Sequence, residues 1–318
     1  MSWSVGSPPS SRGGIASPRL LLPSLAAAAV ATAAAAQHPF AASVVSYSPG
    51  AGVNPAYANP LVALGEPSRF TADPLWPAAV TPFQSPYLPS QVVQVGPGGS
   101  LTVAFDPPIV DDPRHPFGID LIVFGNAFFL DAAYPSGVVG GVYSEGGIIE
   151  LSEDGVAFTP VKGIEADGLF PTMGWLDVGP FAAAPGQQPT DFTRPVDPLA
   201  AAVVLGANYE TLLEIYGGSG GGAPVDVAAA GLATVRFVRI RVPLDAGEVI
   251  EIDAFSSVTP QGSPADLDGD GSVGGGDLAL LLQAWGGCPR SSPCPADLDG
   301  NGVVDGADLA LLLAAWSS

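Results

Sequence analysis

Oxygen-bearing side chains at alternating positions dominate the C-terminal end of this chain. Ala265-Asp-Leu-Asp-Gly-Asp-Gly271 is followed by Asp277-Leu-Ala-Leu-Leu-Leu, and the pattern returns 31 residues later as Ala296-Asp-Leu-Asp-Gly-Asn-Gly302 followed by Asp308-Leu-Ala-Leu-Leu-Leu. A tight loop that presents an oxygen at every second residue aims those oxygens at one centre, and a hard cation such as calcium needs six to eight of them at about 2.3–2.6 Å. The first loop offers Asp266, Asp268, Asp270, the main-chain carbonyl of Ser272, and Asp277. The second offers Asp297, Asp299, Asn301, the carbonyl of Val303, and Asp308, with Asp305 able to act through a water. The expectation is two calcium ions, one per loop.

The duplication is internal, and within each copy ligands fall at loop positions 1, 3, 5 and 12, with Gly271 or Gly302 at position 6. That is the spacing of an EF-hand calcium loop, with Asp in place of the usual final Glu. Glycine permits the sharp turn that a Cβ resists. After position 12 each copy is apolar around most of a helical circumference, which predicts short helices over Leu278–Trp285 and Leu309–Trp316, packed against each other. The competing reading is a pair of acidic turns that merely precede two helices. Four carboxylates crowd each loop, and without a cation they repel, so binding and folding are expected to be coupled.

A duplicated calcium loop, each copy followed by one short helix and none preceded by one, resembles the type I dockerin family over residues 264–318. The resemblance implies docking onto a cohesin-like partner, with loop positions 10 and 11, often hydroxyl-bearing in that family, helping to choose it. This chain carries Gly275 and Gly276 there in the first copy and Gly306 and Ala307 in the second. The departures leave the calcium ligands in place and bear on recognition of the partner alone.

Two cysteines, Cys288 and Cys294, lie in the segment joining the copies. An even count in an exported chain predicts one local disulfide. The alternative, a soft-metal site, would need further Cys or His nearby, and the sequence has none there.

The elements that would carry this module come earlier. Gly and Pro total 75 of 318 residues, without a fixed period, among short Val, Ile and Phe runs; that favours a β-sheet body rich in turns. Strands are predicted at Gln91–Val95, Ser100–Phe105, Ile119–Phe124, Gly147–Leu151, Val235–Val242 and Val249–Phe255. In Arg236-Phe-Val-Arg-Ile-Arg241 the charged and apolar residues are not fully out of phase, which predicts a bulge or an edge position. Ser152–Phe158 reads as a hairpin turning at Asp154-Gly155, with Phe158 returning to the core. The segments Gly96–Phe105, Gly118–Asn126, Ile149–Phe158 and Val235–Ile240 resemble the discoidin or galactose-binding jelly roll of bacterial secreted proteins, which implies a sheet-on-sheet sandwich with ligand sites in its loops. The expected fold class is therefore mainly β: a jelly-roll-like β-sandwich over residues 40–260, then a small all-α calcium-binding domain of EF-hand-like dockerin type over 264–318.

Other features could do chemistry in the sandwich. Asp111, Asp112 and His115 share a Pro-rich loop that could hold a structural calcium or simply be solvated. Tyr134 and Trp175 could stack on sugar rings. Catalysis finds little: His38 and His115 are the only histidines and neither cysteine precedes residue 288, which disfavours Ser-His-Asp and Cys-His sites. Glycoside hydrolysis needs only two carboxylates, and Glu145, Glu150, Glu165 and Glu210 are available.

Residues 1–36 have the form of an export signal: Arg12 and Arg19, then Leu20–Leu22, an Ala-rich run, and small residues Ala34–Ala36 before Gln37. An N-terminal membrane anchor is the rival, but the run is interrupted by Pro23 and barely long enough to span a bilayer. No later segment approaches a spanning length. The net charge of −21 becomes −23 without Arg12 and Arg19, that is, 8 basic against 31 acidic residues, which argues against a nucleic-acid partner. The sequence thus reads as a secreted or cell-surface calcium-binding protein that attaches through its C-terminal module and binds carbohydrate or another surface ligand through its sandwich, and not as an enzyme. The alternatives are a structural surface protein with a calcium-clamped C-terminus and a dockerin-bearing hydrolase of polysaccharide catabolism.

Overall fold

The hydrophobic runs build two antiparallel sheets that face each other in a computed structural model describing residues 1–4, 6, 38–112, 114–260, 263–268, 272–288 and 294–316. The predicted export segment falls almost wholly outside the described residues, as do Asp270 and Gly271 of the first loop. Nine strands form the sheets: β1 Ser43–Ser48, β2 Val93–Val95, β3 Ser100–Val110, β4 Leu121–Gly125, β5 Gly146–Ser152, β6 Thr159–Asp167, β7 Ala223–Val225, β8 Thr234–Arg241 and β9 Ile250–Ser257. Their orders are β1-β3-β8-β5-β6 and β7-β4-β9-β2.

Alternation explains which face of each strand is buried. Leu101 and Val103 of β3, Ile149 and Leu151 of β5, and Val238 and Ile240 of β8 meet Leu121 and Val123 of β4 and Ile250 and Ile252 of β9 in the core between the sheets. The outer face of the five-stranded sheet is charged. Glu150 of β5 accepts from Arg239 Nε at 2.5 Å and Arg241 Nε at 3.1 Å. The four-stranded sheet is covered on both faces, because Ile122, Phe124 and Ala254 pack outward against Ile119, Phe192 and Val258. This double burial is why β4 reads as a continuous apolar run.

A third cluster gathers around helix α1, Tyr209–Tyr216, where Leu212 and Tyr216 pack with Phe83, Phe129, Phe170 and Met173. Asn208 caps this helix by accepting the Thr211 N–H at 2.9 Å, and Gly217 closes it at φ 54°.

Several expectations are corrected by this architecture. The irregular phase of β8 is a bulge between Val235 and Phe237 in a central strand, with β3 on one side and β5 on the other, not an edge. The Asp154-Gly155 turn does join paired β5 and β6, but Phe158 does not enter the core. It lies half-buried beneath the Arg239 guanidinium, 3.8 Å from the ring centre. Strands Ser43–Ser48, Thr159–Asp167 and Ala223–Val225 and helix α1 were not expected.

Among the described residues no helix is long and apolar enough to cross a membrane. At the C-terminal end, helices α2, Gly275–Gln283, and α3, Gly306–Ala314, pack on each other through Leu281 and Leu312, with Val273 and Val304 from the loops beneath them. Both helices begin three residues before the expected start, and Trp285 and Trp316 lie beyond their ends. The reason is local: Asp277 and Asp308 at the third helical position reach back to the backbone N–H groups of residues 274 and 305, so the helix is closed ahead of the leucines.

Candidate calcium-binding and attachment site

The two acidic loops converge as duplicates. Asp266, Asp268 and Asp277 each bring a carboxylate oxygen within 4.8 Å of the others, and Asp297, Asp299 and Asp308 do the same. In each triad the last acid is buried and the middle one exposed. The buried acid is held by the backbone. Asp277 accepts the Leu267 N–H at 2.6 Å and the Asp268 N–H at 3.1 Å on Oδ1, and the Gly274 N–H at 2.6 Å on Oδ2. Asp308 repeats this with Leu298 at 2.7 Å, Asp299 at 3.2 Å and Asp305 at 2.8 Å. The Gly274 N–H, first among these donors, holds the Asp277 carboxyl below the ordinary aspartate range, and the Asp305 N–H does so for Asp308.

The rest of the second loop is arranged by the same logic. Asp297 accepts the Asn301 and Gly302 N–H groups at 3.1 and 2.8 Å, and Asn301 Oδ1 accepts from Val303 N at 2.8 Å. Asp305 Oδ1 accepts the Ala307 N–H at 2.8 Å and so caps α3. Gly302 takes φ 89°, the left-handed turn the pattern required. Ser272 and Val303 follow the acidic run at the positions expected of carbonyl ligands, and Val303–Val304 pairs with Gly286–Gly287 across the module. Cys288 and Cys294 are joined by a disulfide beside this pairing.

These residues suit calcium. The donors are all oxygen, three carboxylates per loop are already gathered, and one in each loop, Asp277 or Asp308, is preset by backbone donors before any ion arrives. Loop positions 10 and 11 carry almost no side chain. Gly275 and Gly306 border open space, whereas a Cβ on Gly276 would stand 2.0 Å from Asp268 Oδ2.

The sandwich candidates resolve differently. Asp112 forms an ion pair with Arg114 at 2.6 Å, and His115 Nδ1 lies at hydrogen-bond distance, 2.6 Å, from Asp120 Oδ1, so two of the three residues of the expected structural calcium site already have partners. Trp175 is half-buried and donates its Nε1 to Arg69 O at 2.8 Å, which occupies it structurally, while Tyr134 is 77% exposed. Of the four glutamates, Glu150 is held by two arginines and Glu210 sits in the first turn of α1; Glu145 and Glu165 border one cleft of about 720 Å³. A separate cleft of about 590 Å³ is lined by Leu75, Trp76, Phe83, Tyr87 and Phe128. Sequence reasoning missed it because Trp76, Phe83 and Tyr87, although close in the chain, share no motif, and the fold brings Phe128 to them from a separate strand.

Comparison with known families matches residues 264–315 to the dockerin type I domain, and the match does not extend to the sandwich. A search of curated proteins returned no match to the chain. The C-terminal module is therefore similar to the dockerin type I domain, and its duplicate acidic clusters are placed to hold metal ions.

Proposed function

We propose that this chain is an exported, calcium-dependent attachment protein whose module takes two calcium ions and docks onto a cohesin-like partner, while its sandwich holds a polysaccharide or similar surface ligand. The observation that carries this reading is the pair of duplicate acidic triads, each built on a buried, backbone-anchored aspartate, in a segment matched by the dockerin family. In the first loop Asp266, Asp268, Asp270, Asp277 and the Ser272 carbonyl would hold the ion; in the second, Asp297, Asp299, Asn301, Asp308 and the Val303 carbonyl would, with Asp305 through water. Export rests on the pattern of residues 1–36 and on the disulfide, which suits an oxidising compartment.

Carbohydrate binding is supported by exposed flat rings. Trp76 is 76% exposed and lines the aromatic cleft, and an exposed indole suits stacking on a sugar ring. The reading is of a binding protein. The test is retention of the mature protein on a panel of immobilised cohesin domains, with calcium and then with chelator, alongside a panel of insoluble polysaccharides. The proposal expects calcium-dependent capture by at least one cohesin and calcium-independent retention on at least one glycan that Trp76→Ala weakens. Capture that ignores chelation, or glycan release of reducing ends, would contradict it.

A further inference from the structure

A second carboxylate cluster lies in the sandwich, with Asp167 buried and Glu145 and Glu251 half-buried. Glu145 stands in the turn before β5, Asp167 ends β6, and Glu251 comes from β9. Asp167 is 0% exposed and anchors two chain segments, its Oδ1 accepting the Ala127 N–H at 2.6 Å and its Oδ2 the Glu145 N–H at 3.1 Å. Gly125 makes room for it, since a Cβ there would lie 2.2 Å from Asp167 Oδ1.

Glu251 accepts from Gln94 Nε2 at 2.8 Å through Oε1. Its Oε2 and the Oε2 of Glu145 are both shut off from solvent without a hydrogen-bond donor, although the two carboxyl groups are within hydrogen-bonding reach of each other. The groups facing the cluster are the Tyr143 hydroxyl and Asp167 at Glu145, and the Asn126 amide at Glu251, with Glu248 adding negative charge near Tyr143. Among the described residues no Lys, Arg or His forms an ion pair with any of the three acids.

Three ionised carboxylates in this setting would be poorly solvated and mutually repelling. The remedy is a cation or a proton. Among the described residues the acidic triads gathered tightly enough for one ion are those of the C-terminal loops, and these three acids do not form one. A proton shared between the two carboxyl groups would supply a donor where neither Oε2 has one. Burial, followed by the neighbouring Glu145, pushes Glu251 up to about 7, and burial raises Glu145 and Asp167 in the same direction.

We propose that Glu145 and Glu251, backed by Asp167, share a proton that latches the turn at residues 144 and 145 to β9, and that losing this proton above neutrality loosens that turn. The turn forms one wall of the cleft of about 720 Å³ that Glu145 borders, so the latch makes the shape of that cleft pH-dependent. The sign is fixed by the direction of the shifts. Carboxyls raised on folding stabilise the latched form fully below the ordinary carboxylate range, and that contribution is lost as pH climbs through about 7.

The test is amide hydrogen exchange of the calcium-loaded protein at pH 6 and pH 8, corrected for intrinsic exchange, read at Ala127 and Glu145, whose N–H groups Asp167 holds. The wild type should lose protection at both amides by about tenfold, the effect of about one unit of differential protonation. In Glu251→Gln, whose amide donates to Glu145 at any pH, the loss should vanish; Glu145→Gln, read at Ala127, guards against one variant failing to fold. Equal losses in wild type and variants, or no loss in the wild type, would overturn the latch. So would a third calcium equivalent that appears above neutrality and disappears in Glu251→Gln, because an ion rather than a proton would then hold the pair.

Discussion

Asp277 and Asp308 each take three backbone N–H groups on one carboxylate while joining a triad of acids. Such a residue ties the first ligand segment of its loop to the start of its helix, so removing it should cost the ion and the helix start together. Asp308→Ala is expected to lower the calcium stoichiometry from two to one by calorimetry and to reduce helical circular dichroism even at saturating calcium. Asp299→Ala, which removes an exposed acid of the same triad, should weaken the ion with far less change in helicity. At the sandwich surface Glu150 is 6% exposed and meets two half-exposed arginines. Glu150→Gln should destabilise by about 1–2 kcal/mol, discounted for solvent around the guanidinium groups, and urea unfolding would show it as a lower midpoint at unchanged slope.

The elements were legible where one physical signal ruled. β4 was found because double burial makes it a continuous apolar run, and the paired loops because calcium geometry fixes residue types at set positions. β6 was missed because Pro160 and Gly163 interrupt its alternation, and its register with β5 shifts between Pro160 and Glu165. Helix α1 is only eight residues, yet Asn208 before it and Gly217 after it were readable end signals. The cap matters energetically, and Asn208→Ala should cost about 1 kcal/mol by thermal unfolding. The Gly-Gly and Gly-Ala starts of α2 and α3 hid their first turns, since glycine is a poor helix former and the closing interaction belongs to the aspartate that follows. The Glu145, Asp167 and Glu251 cluster left no trace in sequence, because its members sit on three separated segments that only the sandwich brings together.

At the scale of the whole molecule, two sets of carboxyls pull stability in opposite directions with pH. Asp112, held to about 2 chiefly by its hydrogen bond with Arg114, contributes above the ordinary aspartate range and loses that contribution as pH falls toward 2. Buried Asp253, pushed up to about 7 by burial and accepting from Ser68 N–H and Oγ at 2.7 and 3.0 Å, favours the fold at lower pH and loses that advantage as pH rises through 7. The Glu145 and Glu251 pair acts in the same sense as Asp253. Thermal unfolding at saturating calcium should therefore be most resistant in the mildly acidic range and fall from pH 5 to pH 8, with Glu251→Gln flattening part of that slope. The C-terminal module adds a dependence of its own, for its small core of Ala265, Val273, Leu281, Ala296, Val304 and Leu312 sits under loops that repel without a cation.

That dependence is where the account stands or falls, and titration calorimetry of the mature protein with calcium, repeated on Asp266→Ala with Asp297→Ala, tests it most directly. Two ions bound by the wild type and none by the double variant is the result predicted; no calcium binding by the wild type, or undiminished binding in the double variant, would contradict it.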